Sequence, residues 1–213
     1  MIPIADQING TSRLHFTTGV LIGGLLTTAF FRWALSKSET VPSLHPLGSQ
    51  ARLIDHHIQN TQKPAKALGI RVEDFDEVEG KFLALMAPLE QNTNVHGTAF
   101  AGSLFSIGCL SSFYLVRQWM ENQGLLKGNT LVAKSATIRY IRPVKSPWII
   151  ATSTLPINND ASTTMAKFAE QLKTKGKATV QVSGKILQTN PDEPSKSKVA
   201  CEYSVECCAY HLR

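Results

Sequence analysis

Twenty consecutive residues, Gly97–Val116 (GTAFAGSLFSIGCLSSFYLV), carry no charged side chain. Such a stretch has two destinations, a bilayer or the middle of a globular domain. Its composition favours the second, because it is rich in Gly, Ala and Ser and lies between strand-like segments that need a partner to cover one face. A helix that is apolar nearly all round is a buried one. Ala99, Gly102, Ser106 and Cys109 recur at spacings of three, four and three, which sets small side chains along one helical side. Against that stripe a sheet is expected to approach closely, while Phe100, Leu104, Ile107 and Phe113 supply bulk elsewhere. The helix is expected to end near Gly124, whose lack of a Cβ suits the position after a helix terminus.

The flanking segments alternate as strands do. Ile70–Phe75 and Lys81–Leu89 (KFLALMAPL), joined by the acidic turn Asp76, Glu77, Glu79 and Gly80, read as a hairpin. After the helix come Asn129–Val144, in which Val132, Ala136, Ile138 and Tyr140 can share a face, and Trp148–Leu155, rich in β-branched residues. In Gly176–Gln188, Ala178, Val180, Val182 and Ile186 alternate with Thr179, Gln181 and Ser183. Lys198–His211 completes the set. Residues 158–172 admit a short helix or a long excursion. The order strand, strand, long buried helix, four strands argues for an α+β fold of the hotdog type, an antiparallel sheet wrapped around one long central helix. A doubly wound sheet is disfavoured, since no further long helices separate the later strands.

The first forty residues differ from this body. Phe16–Phe31 (FTTGVLIGGLLTTAFF) is uncharged and is followed by Arg32 and Trp33. Its length is near the lower limit for spanning a bilayer, and Trp33 and Arg32 suit an interface. Residues 1–40 are therefore expected to form an N-terminal segment with a hydrophobic helix and membrane anchor at about 16–35; a helix packed on the domain is the alternative. Residues 41–68 read as a linker and a short helix over Gln50–Thr61, and 69–213 as the globular domain. His56 and His57 on that short helix diverge by about 100° and make a poor chelate.

The 213 residues hold 22 Lys and Arg against 16 Asp and Glu. This surplus is spread thinly, so no nucleic-acid partner is expected. The four cysteines, Cys109, Cys201, Cys207 and Cys208, form no CxxC pair and read as reduced thiols. No His, Cys or acidic cluster has metal-ligand spacing, so no metal is expected. The expected localisation is intracellular, on a membrane through one N-terminal helix, with the mitochondrion among the admissible organelles.

Chemistry is expected at Asn92, Asn94, His96, Gly97 and Thr98, just ahead of the buried helix. A helix start leaves unpaired N–H groups and partial positive charge, which can hold a carbonyl oxygen as it becomes negative. Here Thr98 is expected to cap the helix, Gly97 to let a ligand approach the backbone, His96 to act as a general base toward water, and Asn94 to orient water or substrate. The alternative is plain turn chemistry, since Asn and Gly favour turns and Thr favours caps. Cys109 reads as core packing, because a buried thiol stays protonated.

The block NTNVHGTAFAGSLFS, followed by a strand carrying IRYIRPV with Arg142-Pro143 at its end, resembles the thioesterase domain at the C-terminus of bacterial YiiD-type proteins, of the hotdog superfamily. The resemblance runs from about Gly69 to the C-terminus. It implies an acyl-CoA thioester as ligand, with coenzyme A part of the substrate and no separate cofactor. It also implies a scissile carbonyl at the N-terminus of the central helix, a homodimer or higher homo-oligomer, and Gly97 as backbone donor. Asn92, Thr98, Gly102, Ser103 and Arg142 are the expected substrate-binding positions. Two departures matter. Cys109 stands nearest to where many hotdog thioesterases place Asp or Glu, and Asn92 and Asn94 stand where others place an Asp. Water attack with His96 as base is the leading expectation. An acyl-binding module without turnover, a membrane-tethered scaffold, and an enoyl-thioester hydratase or dehydratase are the alternatives.

Overall fold

A computed structural model describes residues 47–156, 161–189 and 197–212. The candidate anchor at 16–35 lies outside the described residues. Among those described, no helix is long and apolar enough to cross a membrane. The elements in chain order are α1 (Ser49–Thr61), α2 (Lys63–Ala67), β1 (Arg71–Phe75), β2 (Phe82–Pro88) and a 3-10 turn (Glu90–Asn92). Then follow α3 (Ala101–Asn122), β3 (Asn129–Tyr140), β4 (Trp148–Thr154), α4 (Ala161–Lys175), β5 (Lys177–Gln188) and β6 (Lys198–His211). Of the region 158–172, ambiguous in sequence, the described residues 161–172 are thus helical.

The strands form one antiparallel sheet in the order β1-β2-β4-β5-β6-β3, and α3 contacts its strands from β2 through to β3. The charge-free segment is therefore the rod at the centre of the domain, as its composition argued. Leu104, Ile107, Leu115, Val116 and Met120 are buried, and so are Ala178, Val180, Val182 and Ile186 of β5. The residue after the helix end, Gly124, sits at φ 64°, which a Cβ would disfavour.

The face of α3 turned to the sheet differs from the expected one. Gly108, Ser111 and Ser112 lie buried against the strands, while Gly102, Ser106 and Cys109 of the expected stripe are only half-buried. Tyr203 of β6 explains the choice. A Cβ on Gly108 would lie 3.1 Å from its ring, and one on Gly184 of β5 would lie 2.2 Å from its Cζ. The ring is clamped between the two glycines, its hydroxyl donating to the Thr152 carbonyl at 2.9 Å and lying 3.0 Å from Ser153 Oγ. Ser153 Oγ is 3.0 Å from Ser112 Oγ, and Ser111 donates to the Leu83 carbonyl at 3.1 Å. Buried hydroxyls demand partners, so this chain of bonds fixes both the rotation and the height of α3. Stripe spacing alone does not reveal which small residues meet a tyrosine.

The face grouping on β3 needs a similar correction. A bulge between Ala133 and Ser135 inserts one residue and reverses the alternation. Ala136, Ile138 and Tyr140 pair with Val205, Tyr203 and Cys201, but before the bulge it is Ala133, opposite buried Cys207, that shares their face; Val132 turns to the other.

The two sheet edges differ. At β1, the side chain of Asp55 on α1 accepts the Val72 N–H at 3.0 Å and holds Arg71 by bonds of 2.7 to 3.1 Å. Glu77 accepts the Gln50 and Ala51 N–H groups at the start of α1, and Gln59 donates to the Ile70 carbonyl. The chain thus covers its own β1 edge. The outer edge of the 12-residue β3 has no strand beside it among the described residues.

Candidate functional site

Between β2 and α3 the chain makes a short tongue. Thr93 and Ala99 form an isolated antiparallel bridge, and residues 94–98 turn between them. Asn94 organises that turn. Its Oδ1 accepts the His96 N–H at 2.9 Å and the Thr98 N–H at 3.3 Å, and its Nδ2 donates to Thr98 Oγ1 at 2.9 Å. Its backbone carbonyl accepts the Gly97 N–H at 3.0 Å. Asn92 bolts the tongue to the body: it is buried, and its Nδ2 donates to the Leu68 and Pro88 carbonyls at 2.9 and 2.7 Å. Its Oδ1 is buried with no partner among the described residues. The Ala99 N–H reaches the Val144 carbonyl at 2.9 Å, and the Phe100 N–H reaches the Asn92 carbonyl at 2.7 Å.

These bonds move the helix start. Thr98 does not cap α3, and Gly97 is not at its tip: the helix begins at Ala101, with Phe100 in the cap position and no side-chain cap bond. The Gly97 N–H is occupied by Asn94, so in this arrangement it offers no donor to a ligand. Gly97 instead supplies φ 69° for the turn. The helix's first intrahelical bond runs from Leu104 N–H to the Phe100 carbonyl, so the N–H groups of Ala101, Gly102 and Ser103 precede it. A Ser, Asp or Asn at the cap would accept a hydrogen bond from one of those amides, whereas phenylalanine cannot. The donor set thus belongs to Ala101–Ser103, and the apolar cap residue is the signal that sequence reading passed over in favour of Thr98.

The other expected residues are placed as follows. His96 is exposed near the tip of the tongue beside Val95, which is 94% exposed, and its ring makes no hydrogen bond among the described residues. Gly102 is half-buried under the Phe100 ring: a Cβ there would meet the ring at 2.4 Å. Ser103 is buried in the first turn. Arg142 is exposed on the segment after β3, its N–H on the Ala200 carbonyl at 3.1 Å. Tyr140 donates its hydroxyl to the Ala101 carbonyl at 3.0 Å, joining the end of β3 to the helix tip. The structure therefore gathers Asn92, Asn94, His96, Gly97, Thr98, Gly102 and Ser103 at one end of the domain. His96 and Asn94 touch there only through the His96 backbone.

The surface around the tip is apolar and open. Phe100, Phe105, Tyr140 and Ile141 are 55, 40, 48 and 41% exposed. No carboxylate lies on α3 before Glu121. Burial pushes the Cys109 thiol up from its ordinary range, which leaves it protonated and poorly nucleophilic. Among the described residues no group of three His, Cys, Asp or Glu side chains can hold a metal ion. An uncapped helix start in an apolar, dockable surface can hold a carbonyl oxygen and an acyl chain.

Comparison with known proteins fits this arrangement. The family model described as "Putative thioesterase (yiiD_Cterm)" matches residues 53–203. Solved structures share the fold. A Chlorobaculum tepidum protein of unknown function is 22% identical, with a TM-score of 0.66 over 76% of this chain and 95% of that one. A Pseudomonas aeruginosa protein described as a "Probable Thioesterase" is 20% identical, with a TM-score of 0.60 over 78% of this chain and 98% of that one. A thioesterase family protein from Silicibacter pomeroyi is 12% identical, with a TM-score of 0.55 over 76% and 99%.

Proposed function

The chain belongs to the YiiD C-terminal thioesterase family of hotdog proteins, and from that premise we propose that it hydrolyses a fatty-acyl coenzyme A thioester at the N-terminus of α3. The thioester carbonyl oxygen sits on the Gly102 and Ser103 N–H groups. Water attacks the carbonyl carbon while the His96 imidazole takes its proton. The tetrahedral intermediate, negative on oxygen, is held by the two amides, each donor of this kind being worth about 10²–10³ in rate. Collapse breaks the C–S bond, and the departing thiolate takes the proton back from His96. Asn94 is a positioning residue that holds the His96 backbone, and exposed Arg142 meets a coenzyme A phosphate. The observation that carries this reading is the uncapped start of α3 inside a family-matched domain.

The same proposal makes the working unit a homodimer. One sheet edge is covered by α1 while β3 stays open, and Val132, Phe105 and Tyr140 are exposed beside it. An open edge of this length can take a second strand. The second copy supplies a wall at the helix tip. The apolar run at 16–35 tethers the unit to a membrane.

A second reading rests on one feature, the absence of a carboxylate from α3 before Glu121. It makes the same surface an acyl-CoA binding site without turnover. Full-length protein incubated with a panel of acyl-CoAs, with free thiol measured, separates the two. Thiol release that falls at least about a hundredfold in His96→Ala, with the circular dichroism spectrum retained, supports the hydrolase. Tight binding with no thiol release supports the binding site. Thiol release unchanged by His96→Ala removes His96 from the reaction.

A further inference from the structure

The end of the domain opposite the tongue carries a feature that thioester chemistry does not use. α3 is 22 residues long, about 33 Å, so its C-terminal end is remote from the proposed site. Three chain turns meet near that end. His211 N–H donates to the Gly176 carbonyl at 3.0 Å, Leu212 N–H donates to the Gly128 carbonyl at 3.1 Å, and the His211 ring is bonded to the Asn129 side chain. Lys177 is paired with Tyr210 across β5 and β6. These bonds bring Lys127, Lys175 and Lys177 onto one rim, with Lys173 on the last turn of α4 beside them. All four are exposed, and none is in an ion pair among the described residues. Tyr210 and Leu212, 39 and 63% exposed, stand in their midst.

The acids around this end are mostly engaged. Glu206 is held by Lys134 and Ser135 and also lies within the field of Lys177, and Glu121 lies 3.8 Å from Arg117; among the described residues, exposed Glu170 on α4 is a nearby acid without such a bond. The acidic β1–β2 turn shares the end but lies two to five strands along the sheet from β5, β6 and β3. Its carboxylates have local partners. Asp76 accepts the Val78, Glu79 and Lys81 N–H groups, Glu77 accepts the start of α1, and Glu79 pairs with Lys81. The described chain also begins here, since the Gln50 side chain accepts bonds from Gln118 and Asn122 near the end of α3.

We infer that this lysine rim docks on an anionic lipid bilayer, with Lys127, Lys173, Lys175 and Lys177 on the headgroups and Tyr210 and Leu212 in the interfacial layer. Basic residues alone would also suit a nucleic acid. An exposed tyrosine and leucine among the lysines favour lipid, as does the uncharged run Phe16–Phe31 in the sequence ahead of Leu47, where the described chain begins. Docking in this way turns the tongue and the start of α3 away from the bilayer. The inference does not depend on the thioester reading, which concerns the opposite end.

The test uses full-length protein with vesicles of phosphatidylcholine alone or with about a third phosphatidylserine. Lysine acylation rates are followed residue by residue by mass spectrometry. On anionic vesicles the four rim lysines should react at least fivefold more slowly than Lys63 and Lys66, which lie toward the tongue, and on neutral vesicles they should not. The variant Lys127→Gln/Lys173→Gln/Lys175→Gln/Lys177→Gln should lose at least tenfold in the ratio of anionic to neutral vesicle partition, while Lys63→Gln/Lys66→Gln keeps that ratio. Equal labelling of rim and tongue-side lysines on anionic vesicles would overturn the inference even if the fourfold variant fails to fold. So would an unchanged partition ratio in the folded variant, or a parent protein that leaves anionic vesicles for duplex DNA in competition.

Discussion

Replacing Gly184 by alanine tests the account of how α3 is seated. A Cβ at this position would lie 2.2 Å from Tyr203 Cζ and 2.4 Å from the Thr152 carbonyl oxygen, which is backbone and cannot rotate away. The Tyr203 ring, 5% exposed, cannot retreat toward α3, because Gly108 already lies against its other face. Either the β4–β5 ladder opens at Ser153–Gly184 or the ring leaves its place. Overpacking of this kind costs about 1–3 kcal/mol. Losing the hydroxyl's bonds to Thr152 and Ser153 adds about 1–3 kcal/mol, because the buried partners are left unsatisfied. The sum is about 2–6 kcal/mol, or a fall of about 4–24 °C in Tm for a domain of this size. Gly108→Ala is the contrast. Its Cβ would sit at 3.1 Å from the ring, a tight fit, but alanine in a helix recovers up to about 1 kcal/mol over glycine. That variant should stay within about 1 kcal/mol of the parent. Both changes are measured by urea denaturation with a shared slope. A Gly184→Ala protein within about 0.5 kcal/mol of the parent would refute the clamp and the seating of α3 derived from it.

Two further expectations concern the β1 side of the sheet. Glu73, the extra residue where the β1–β2 register shifts, has its carboxyl raised to about 7 by burial and then by neighbouring Asp74. Its folded value lies above its unfolded one, so its neutral form favours folding. That contribution is fully present below about pH 4.5 and is lost as pH rises through about 7. Glu73→Gln should therefore gain stability relative to the parent at pH 8, by at most about 3 kcal/mol, and gain little at pH 4; equal gains at both would exclude this carboxyl as the cause. Asp55→Ala should cost about 2–3 kcal/mol in chemical denaturation, because the Val72 N–H loses its acceptor and α1 its tie to Arg71. Unchanged stability would mean that α1 does not depend on this carboxylate to cover the edge.

How much of this could be read in advance varied from element to element. The run Gly97–Val116 revealed its place because burial of a whole helix leaves a compositional mark that needs no partner to be recognised. Alternation in β5 was equally plain, since every inward position is apolar. On β3 the same alternation misassigned Val132, because a bulge shifts parity without changing composition. At the tongue, Asn94, His96, Gly97 and Thr98 were rightly expected near the helix start, but Thr98 resembles a cap and Phe100 does not. Only the bonds from Asn94 to Gly97 and Thr98 show that the turn consumes those amides and leaves the start of α3 without a side-chain cap.

Local chemistry, then, determined by itself that one helix is central, that strands flank it, and that a polar turn precedes it. Each of these follows from properties a residue carries wherever it is placed. Tertiary structure decided which glycines face Tyr203, which amides remain open to a ligand, and which sheet edge is left uncovered. Those are matters of register and rotation, set by contacts between residues far apart in the chain, such as Gly108, Gly184 and Tyr203, that no local spacing encodes.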